Sequence, residues 1–384
     1  EGNHPISFAG TEFIATEGGH LLFHGAMFRS DGEGYVRFPG ATFRTDGKGD
    51  VRFSDTTFQA DCDGNVWFQD ATFRTNDEGQ VRFPGAVFRT VGKGHVKFVN
   101  TTFRTHDMGD VKFHHATFRT NDEGQVRFRN ARFQTEDRGD IGFRDAMFRK
   151  DGNGDVRFRD VILTDVDFRW SEFAGVDLGG VDLTGTDLRG ANVEEVAVNG
   201  STTCQRLNEG YTDNRMTGRL FVPARLKRLY QQSQFEPDDW DATAQAYHQM
   251  KTVFSGHGLI GRARNMHIRE RRSRSYEAKA KNGWTDRRYL RSLPSRLFTG
   301  YGVQVQNLAL WMVILFLFST IVYVTEGVED TLTNNISYSV LAFTVAPPEI
   351  PSKVWVQLVR MVETFFGTLS IVLLGYILGN RERF

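Results

Sequence analysis

Every phenylalanine in the first 200 residues falls in one register modulo five. There are 23 of them, running Phe8, Phe13, Phe23, Phe28, Phe38, Phe43 and on to Phe158, Phe168 and Phe173. The register then passes to Leu178, Leu183, Leu188 and Val193. Two residues before most of these stands a small or β-branched residue, such as Val36, Ala41, Val51, Thr56, Val66 and Ala71. A helix repeats about every 3.6 residues and a strand every two, so a strict period of five is continuous in neither. It fits a solenoid whose sides are one pentad long. Each side turns its Phe or Leu and its small residue inward, and coils stack at about 4.7–4.9 Å. Each coil then buries its core only against its neighbours.

Residues Val176 to Ala191 read VDLGG VDLTG TDLRG A. This resembles the pentapeptide-repeat family and its A(D/N)LXX pattern. The resemblance implies a right-handed quadrilateral β-helix over residues 1–199 and says little about function. A second period, of fifteen, is superimposed between Asp31 and Asp155: two Phe pentads, then a polar one such as DGEGY, DGKGD, NDEGQ or DGNGD. A coil of fifteen residues would stack these polar pentads in one column, whereas a four-sided coil of twenty would not. Extruded turns on a regular wall are the alternative; like stacking on like favours the coil of fifteen, although spacing alone does not settle it.

The polar pentads have the composition of calcium loops, with Asp, Asn and Gly at short spacing. The same residues are what a tight turn requires. Lys48, Lys93 and Arg138 in mid-pentad, and the want of a consistent bidentate Glu, favour turns. Arg29, Arg44, Arg74, Arg89, Arg104, Arg119 and Arg149 are expected to form an outward basic column. Nearby Asp50, Asp110, Asp140 and Asp155 are expected to neutralise it as a solvated ladder, in preference to an anion-binding stripe.

Residues 200–304 read as a helical, increasingly basic linker. A helix is expected from Asp238/Asp239, with Ala244, Tyr247, Met250 and Phe254 as its apolar stripe. SGHG at Ser255–Gly258 breaks it, and a second, antiparallel helix follows from about Leu259. His248, His257 and His267 are spaced too widely for one metal site on a helical turn. From Arg262 to Arg296 there are twelve Lys or Arg against Glu270, Glu277 and Asp286.

Leu308 to Val324 is seventeen residues without charge, close to the length that crosses about 30 Å of hydrocarbon. Trp311 and Tyr323 lie near its ends, where amphipathic rings prefer to sit. A second apolar stretch, Val354 to Leu378, carries Arg360 and Glu363. Charges at that depth must face protein or water, and three positions apart on a helix these two can also pair. The basic stretch before Leu308 and the NRERF tail place the N-terminal β-helix and the C-terminus in the cytoplasm.

Between the spans lies NNISYSVLAFTVAPPEIPS, an apolar helix from Ile336 to Phe343 and then a Pro-rich segment. Residues 305–384 are similar to the two-transmembrane pore domain of potassium-channel-like proteins, which carries a pore helix and re-entrant loop. The resemblance implies a tetramer in a lipid bilayer whose filter is Thr344, Val345, Ala346, Pro347, Pro348 and Glu349. Thr344 and Val345 match the family's Thr-Val. The family continues Gly-Tyr-Gly-Asp where this chain has Ala346, Pro347, Pro348 and Glu349, and the fixed φ of the two prolines cannot reproduce that glycine-dependent backbone. Conduction without potassium selectivity is therefore expected, with Glu349 favouring cations. Glu363, Gly367 and Gly375 correspond to inner-helix hinge or pore-lining positions, although small residues at a tight helix contact explain the glycines equally well.

With 47 basic against 47 acidic side chains, no overall field draws nucleic acid, and a DNA-mimicking rod would be acidic. Two cysteines are too few for a disulfide framework or a four-cysteine zinc site. No nucleophile–base pair, metal cluster or phosphate loop has credible spacing, so neither an enzyme nor a cofactor is expected. The leading expectation is a tetrameric cation channel regulated by its β-helix through an unknown ligand or partner. Its rival is a membrane-anchored scaffold that binds partner proteins along the rod.

Overall fold

The computed structural model describes residues 5–106, 108–135, 140–163, 166–208, 235–344 and 350–380. They form two compact units, Glu1–Ala280 and Lys281–Phe384.

The first unit is a β-solenoid of four parallel walls. The first wall contains Ile6–Ser7, Tyr35–Arg37, Asn65–Trp67, His95–Val99, Gln125–Arg129, Asp155–Arg159 and Val176–Asp177; the second runs through Glu12–Ala15 and Thr42–Thr45. The third runs through His20–Leu22 and Asp50–Arg52, and the fourth through Met27–Ser30 and Thr57–Ala60.

Register settles the length of the coil. Val36 pairs with Val66, Phe43 with Phe73, Val51 with Val81 and Phe58 with Phe88, an offset of 30 on every wall. Fifteen is thus half a coil, and a fifteen-residue step carries the first wall to the third and the second to the fourth. The offset falls to 25 at Gly142↔Asp167 and Met147↔Glu172, then to 20 at Val156↔Val176 and Asp167↔Asp187. A four-sided, twenty-residue coil is therefore the basic unit, and the longer coils add two polar pentads as corner turns.

Phenylalanines fill the interior in four columns. Within a column, ring centroids are 4.5–5.0 Å apart and nearly parallel, as along Phe23, Phe53, Phe83 and Phe113 or Phe28, Phe58 and Phe88. Adjacent columns meet edge to face, which suits the ring quadrupole.

The two glycines of a polar pentad do different work. The second position has positive φ, and Gly47, Cys62, Asp77, Gly92 and Asp122 all occupy it, so glycine is convenient there rather than obligatory. The fourth position is always glycine in the described pentads because no Cβ fits. A Cβ at Gly79 would meet Thr45 Oγ1 at 2.5 Å and the Gly49 carbonyl at 2.6 Å on the neighbouring coil. Gly34, on the first coil, meets only its own turn, at 3.1 Å. Gly79→Ala is accordingly expected to lower the unfolding free energy by ~2–3 kcal/mol by prising two coils apart. Gly34→Ala is expected to cost less than half as much, and urea unfolding followed by circular dichroism compares them.

The outward arginines form two columns rather than one. Arg44, Arg74 and Arg104 lie on the second wall, and Arg29, Arg89, Arg119 and Arg149 on the fourth. Their carboxylate partners come from the corner turns: Asp46 for Arg44, Asp61 for Arg29, and Asp151 for both Arg119 and Arg149. Asp50 and Asp110 serve the third wall instead, bonding Arg52 at 2.6 Å and Lys112 at 2.7 Å. Asp155 pairs with Arg157 on the first. Turn carboxylates also accept backbone N–H groups of the adjacent coil, as Asp77 does from Gly47 and Asp122 from Gly92.

Two helices, α1 (Pro237–Gly256) and α2 (Ile260–Asn282), pack on the last coils and share their core. Asp239 starts α1 by accepting the Glu236 N–H, and the chain reverses at Gly258. Tyr247, Met250 and Phe254 are fully buried, and the Tyr247 hydroxyl accepts the Leu207 N–H at 2.9 Å. Arg189 pairs with Asp187 and with Asp239 of α1. Burial pushes the Asp187 carboxyl above its usual range despite Arg189. The apolar stripe of α1 thus covers the end of the solenoid, where a terminal repeat needs a cap. The compact unit accordingly extends well past residue 199, into the stretch expected to be a linker.

Candidate functional site

The second unit contains α3 (Arg287–Pro294), a π-helical turn at Ser295–Thr299, α4 (Val305–Glu326), α5 (Leu332–Thr344) and α6 (Val354–Asn380). Asp286 caps α3 by accepting the Arg288 and Tyr289 N–H groups. Two of these helices are long and apolar enough to cross a membrane: α4, and α6 over Val354–Gly379, with mean hydropathies of 2.3 and 1.8. Their large side chains stand open, among them Leu310, Val313, Leu317 and Ile321 on α4 and Leu358, Val362, Phe365 and Val372 on α6. α5 is short, begins six residues after α4 ends, and packs against both.

Glu363 ties the three together. It is fully buried, and its carboxylate accepts the Tyr323 hydroxyl of α4 at 2.6 Å and the Ser339 hydroxyl of α5 at 2.5 Å. The Tyr323 and Tyr338 rings meet edge to face at 5.0 Å beside it. Arg360, one turn before Glu363, hydrogen-bonds Tyr338 of α5. Both charged residues of α6 thus bond to the neighbouring helices. Two hydroxyls from different helices place the carboxylate inside the bundle, on the side of α6 that faces α4 and α5. Sequence reading singled out Glu363, and Tyr323 only as a ring near the end of its span, because partners brought together by tertiary packing leave no spacing signal.

Gly367 lies one turn along α6 from Glu363. A Cβ there would stand 2.4 Å from the Phe343 carbonyl oxygen and 3.0 Å from its ring, so α5 and α6 touch backbone to backbone. Gly375 meets nothing within 4 Å. Thr344 is the last residue of α5, exposed, and its hydroxyl donates to the Val340 carbonyl at 2.8 Å. Val345, Ala346, Pro347, Pro348 and Glu349 lie outside the described residues. Beyond them, Lys353 bonds Glu326 at 2.6 Å, joining the start of α6 to the end of α4.

Another face of α6 is unpartnered in the single chain. A groove of about 610 Å³ runs along it, lined by Arg360, Met361, Thr364, Phe365, Thr368 and Leu369. Beside Arg360, two threonine hydroxyls interrupt the apolar lining and were not singled out in the sequence; their spacing of four is the signal that could have found them.

The family described as Pentapeptide repeats matches residues 154–196, in eight copies. That segment is where the coil offset reaches 20. HetL, a pentapeptide repeat protein involved in heterocyst differentiation regulation from the cyanobacterium Nostoc, is similar at 10% identity. The overlap covers 53% of this chain and 88% of that one, with a TM-score of 0.15. QnrB1, a plasmid-mediated fluoroquinolone resistance protein, is similar at 13% identity over 51% of this chain and 92% of its own, also with a TM-score of 0.15. No curated protein matches the chain in sequence. The molecule is a β-solenoid of pentapeptide repeats followed by C-terminal helices, two of them apolar enough to cross a membrane.

Proposed function

We propose that this chain is one subunit of an ion channel, with α4 and α6 as membrane spans and α5 as a pore helix. Four copies surround the conduction path, since one hairpin cannot enclose a pore. The segment after Thr344 forms the constriction, cations pass without potassium selectivity, and the solenoid and C-terminus face the cytoplasm. The observation that carries the reading is the fastening of α5. A membrane anchor has no use for a short third helix held by a buried carboxylate between two apolar ones. Charge at that depth is costly unless satisfied, and here two hydroxyls satisfy it. The threonine-bearing groove of α6 is the face suited to the path or to a neighbouring subunit.

Single-channel recording from purified protein in planar bilayers, under a potassium chloride gradient, tests this. Discrete currents with a cation-signed reversal potential are expected. Silence combined with a monomeric mass in detergent would leave an anchored scaffold instead. Tyr323→Phe is expected to cost ~2 kcal/mol, because the buried carboxylate loses a hydroxyl donor. Thermal unfolding in detergent, alongside the frequency of channel openings, measures that loss.

A further inference from the structure

The fifteen-residue symmetry of the long coils makes the first and third walls natural comparisons. On the third wall, the outward cations Arg52, Arg82 and Lys112 stack in register, and buried Asp50 and Asp110 lie among them. Asp50 contacts Arg52 at 2.6 Å and Arg82 at 4.0 Å, and Asp110 contacts Lys112 at 2.7 Å. On the first wall, the equivalent column is Arg37, Trp67, Lys97, Arg127 and Arg157. The positions that hold Asp50 and Asp110 on the third wall are here Asn65, His95 and Gln125. A carboxylate returns only at Asp155, which bonds Arg157 at 2.8 Å. Arg37 lies over the Tyr35 ring and Lys97 over the Trp67 ring, at 4.6 and 5.0 Å.

Among the described residues no carboxylate lies within ion-pairing distance of Lys97, Arg127 or Arg129, and Asp155 acts on Arg127 only from farther off. Arg127 and Arg129 project from the same side of the strand Gln125–Arg129, whose Val126 and Phe128 point inward. Lys97 stands directly across the ladder from Arg127. Neighbouring strands are about 4.8 Å apart and alternate residues about 6.6 Å, so three cations meet within one small patch. Like charges directly opposite in a sheet repel. Burial and Arg127 hold the Lys97 ammonium below the usual lysine range, and burial with the charges of Lys97 and Arg127 brings His95 down to about 4. The patch thus remains cationic at neutral pH without help from His95, and a bound polyanion would relieve its crowding.

We propose that Lys97, Arg127 and Arg129 form a binding site for a soluble oligophosphate. Guanidinium forks pair with phosphate oxygens two at a time, and an ammonium adds a point charge. Three closely set cations select a chain of linked phosphates over a single one. The site lies wholly on the solenoid and does not depend on the channel reading.

The test is isothermal titration of inorganic triphosphate into the full-length protein in detergent, at low and moderate salt. Binding is expected for the wild type, weakened at least tenfold by Lys97→Gln or Arg127→Gln and less than twofold by Arg82→Gln on the third wall. Orthophosphate at the same ionic strength is expected to bind at least tenfold more weakly than triphosphate. Triphosphate should raise the melting temperature of the wild type but not of Arg127→Gln, and Arg127→Gln without ligand should melt no lower than wild type. No binding at millimolar triphosphate, an equal loss in Arg82→Gln, or orthophosphate binding as tightly as triphosphate would overturn the site.

Discussion

On the channel reading proposed above, Gly367→Ala is expected to abolish currents and to loosen the second unit by several kcal/mol. The added methyl group would meet the Phe343 carbonyl oxygen and ring root at 2.4 and 3.0 Å. The oxygen belongs to backbone, so no flexible side-chain tip can yield, and α5 must move away from α6. Overpacking of this kind costs ~1–3 kcal/mol. The same movement draws Ser339 off Glu363, one helical turn away, and leaves a buried carboxylate short of a donor. That adds ~1–3 kcal/mol. Gly375→Ala provides the control, because its surroundings are open. Recording in bilayers and melting in detergent should separate the two variants clearly; equal currents would show that the seating of α5 does not govern conduction.

Phe83→Ala is expected to cost ~3–5 kcal/mol and to break the rod in the middle. The Phe83 ring is stacked on Phe53 at 4.6 Å and Phe113 at 4.5 Å, with Phe73 edge-on at 5.5 Å and Phe88 at 6.0 Å. Coil-to-coil stacking cannot collapse into the gap, because the backbone ladder on each wall fixes the spacing. A solenoid is stabilised by nearest-neighbour terms, so coils on the N-terminal side lose their template while those nearer α1 and α2 keep theirs. Limited proteolysis should release the N-terminal coils and spare the remainder. Phe8→Ala is expected to cost less than half as much, since Phe8 is partly exposed and stacks within its column on Phe38 alone.

The solenoid was legible because its signal is strictly local. One phenylalanine per pentad marks an inward position whatever the coil length, so Phe8 to Phe173 could be placed without knowing how the coil closes. The coil length itself was not legible. A period of fifteen describes one coil of fifteen and half a coil of thirty equally well, and only the pairing of Val36 with Val66 separates them. For the same reason, one modular count merged Arg44 and Arg29, which belong to different walls.

In the second unit, α4 and α6 were readable from hydrophobic length. The bonds of Glu363 were not, since Tyr323 and Ser339 lie 40 and 24 residues away. The helix pair at Pro237–Asn282 showed its break at Gly258, yet its partner was invisible. An amphipathic stripe announces that something will cover it and never says what. Here it is the solenoid's own last coil.

The narrowing of the coil from an offset of 30 to one of 20 sets a direction for assembly. Bringing two neighbouring rungs together closes a loop, and the closing entropy grows with the logarithm of loop length. A thirty-residue loop is about 0.4 kcal/mol harder to close than one of twenty, for each rung added. The shortest loops lie beside α1 and α2, where a covered end already offers a surface to grow on. The rings of the coil that begins at Ile6, by contrast, are only partly buried. Folding is therefore expected to start near residue 200 and to zip backward along the chain. The N-terminal coils, which leave the ribosome first, wait for a nucleus that is synthesised later.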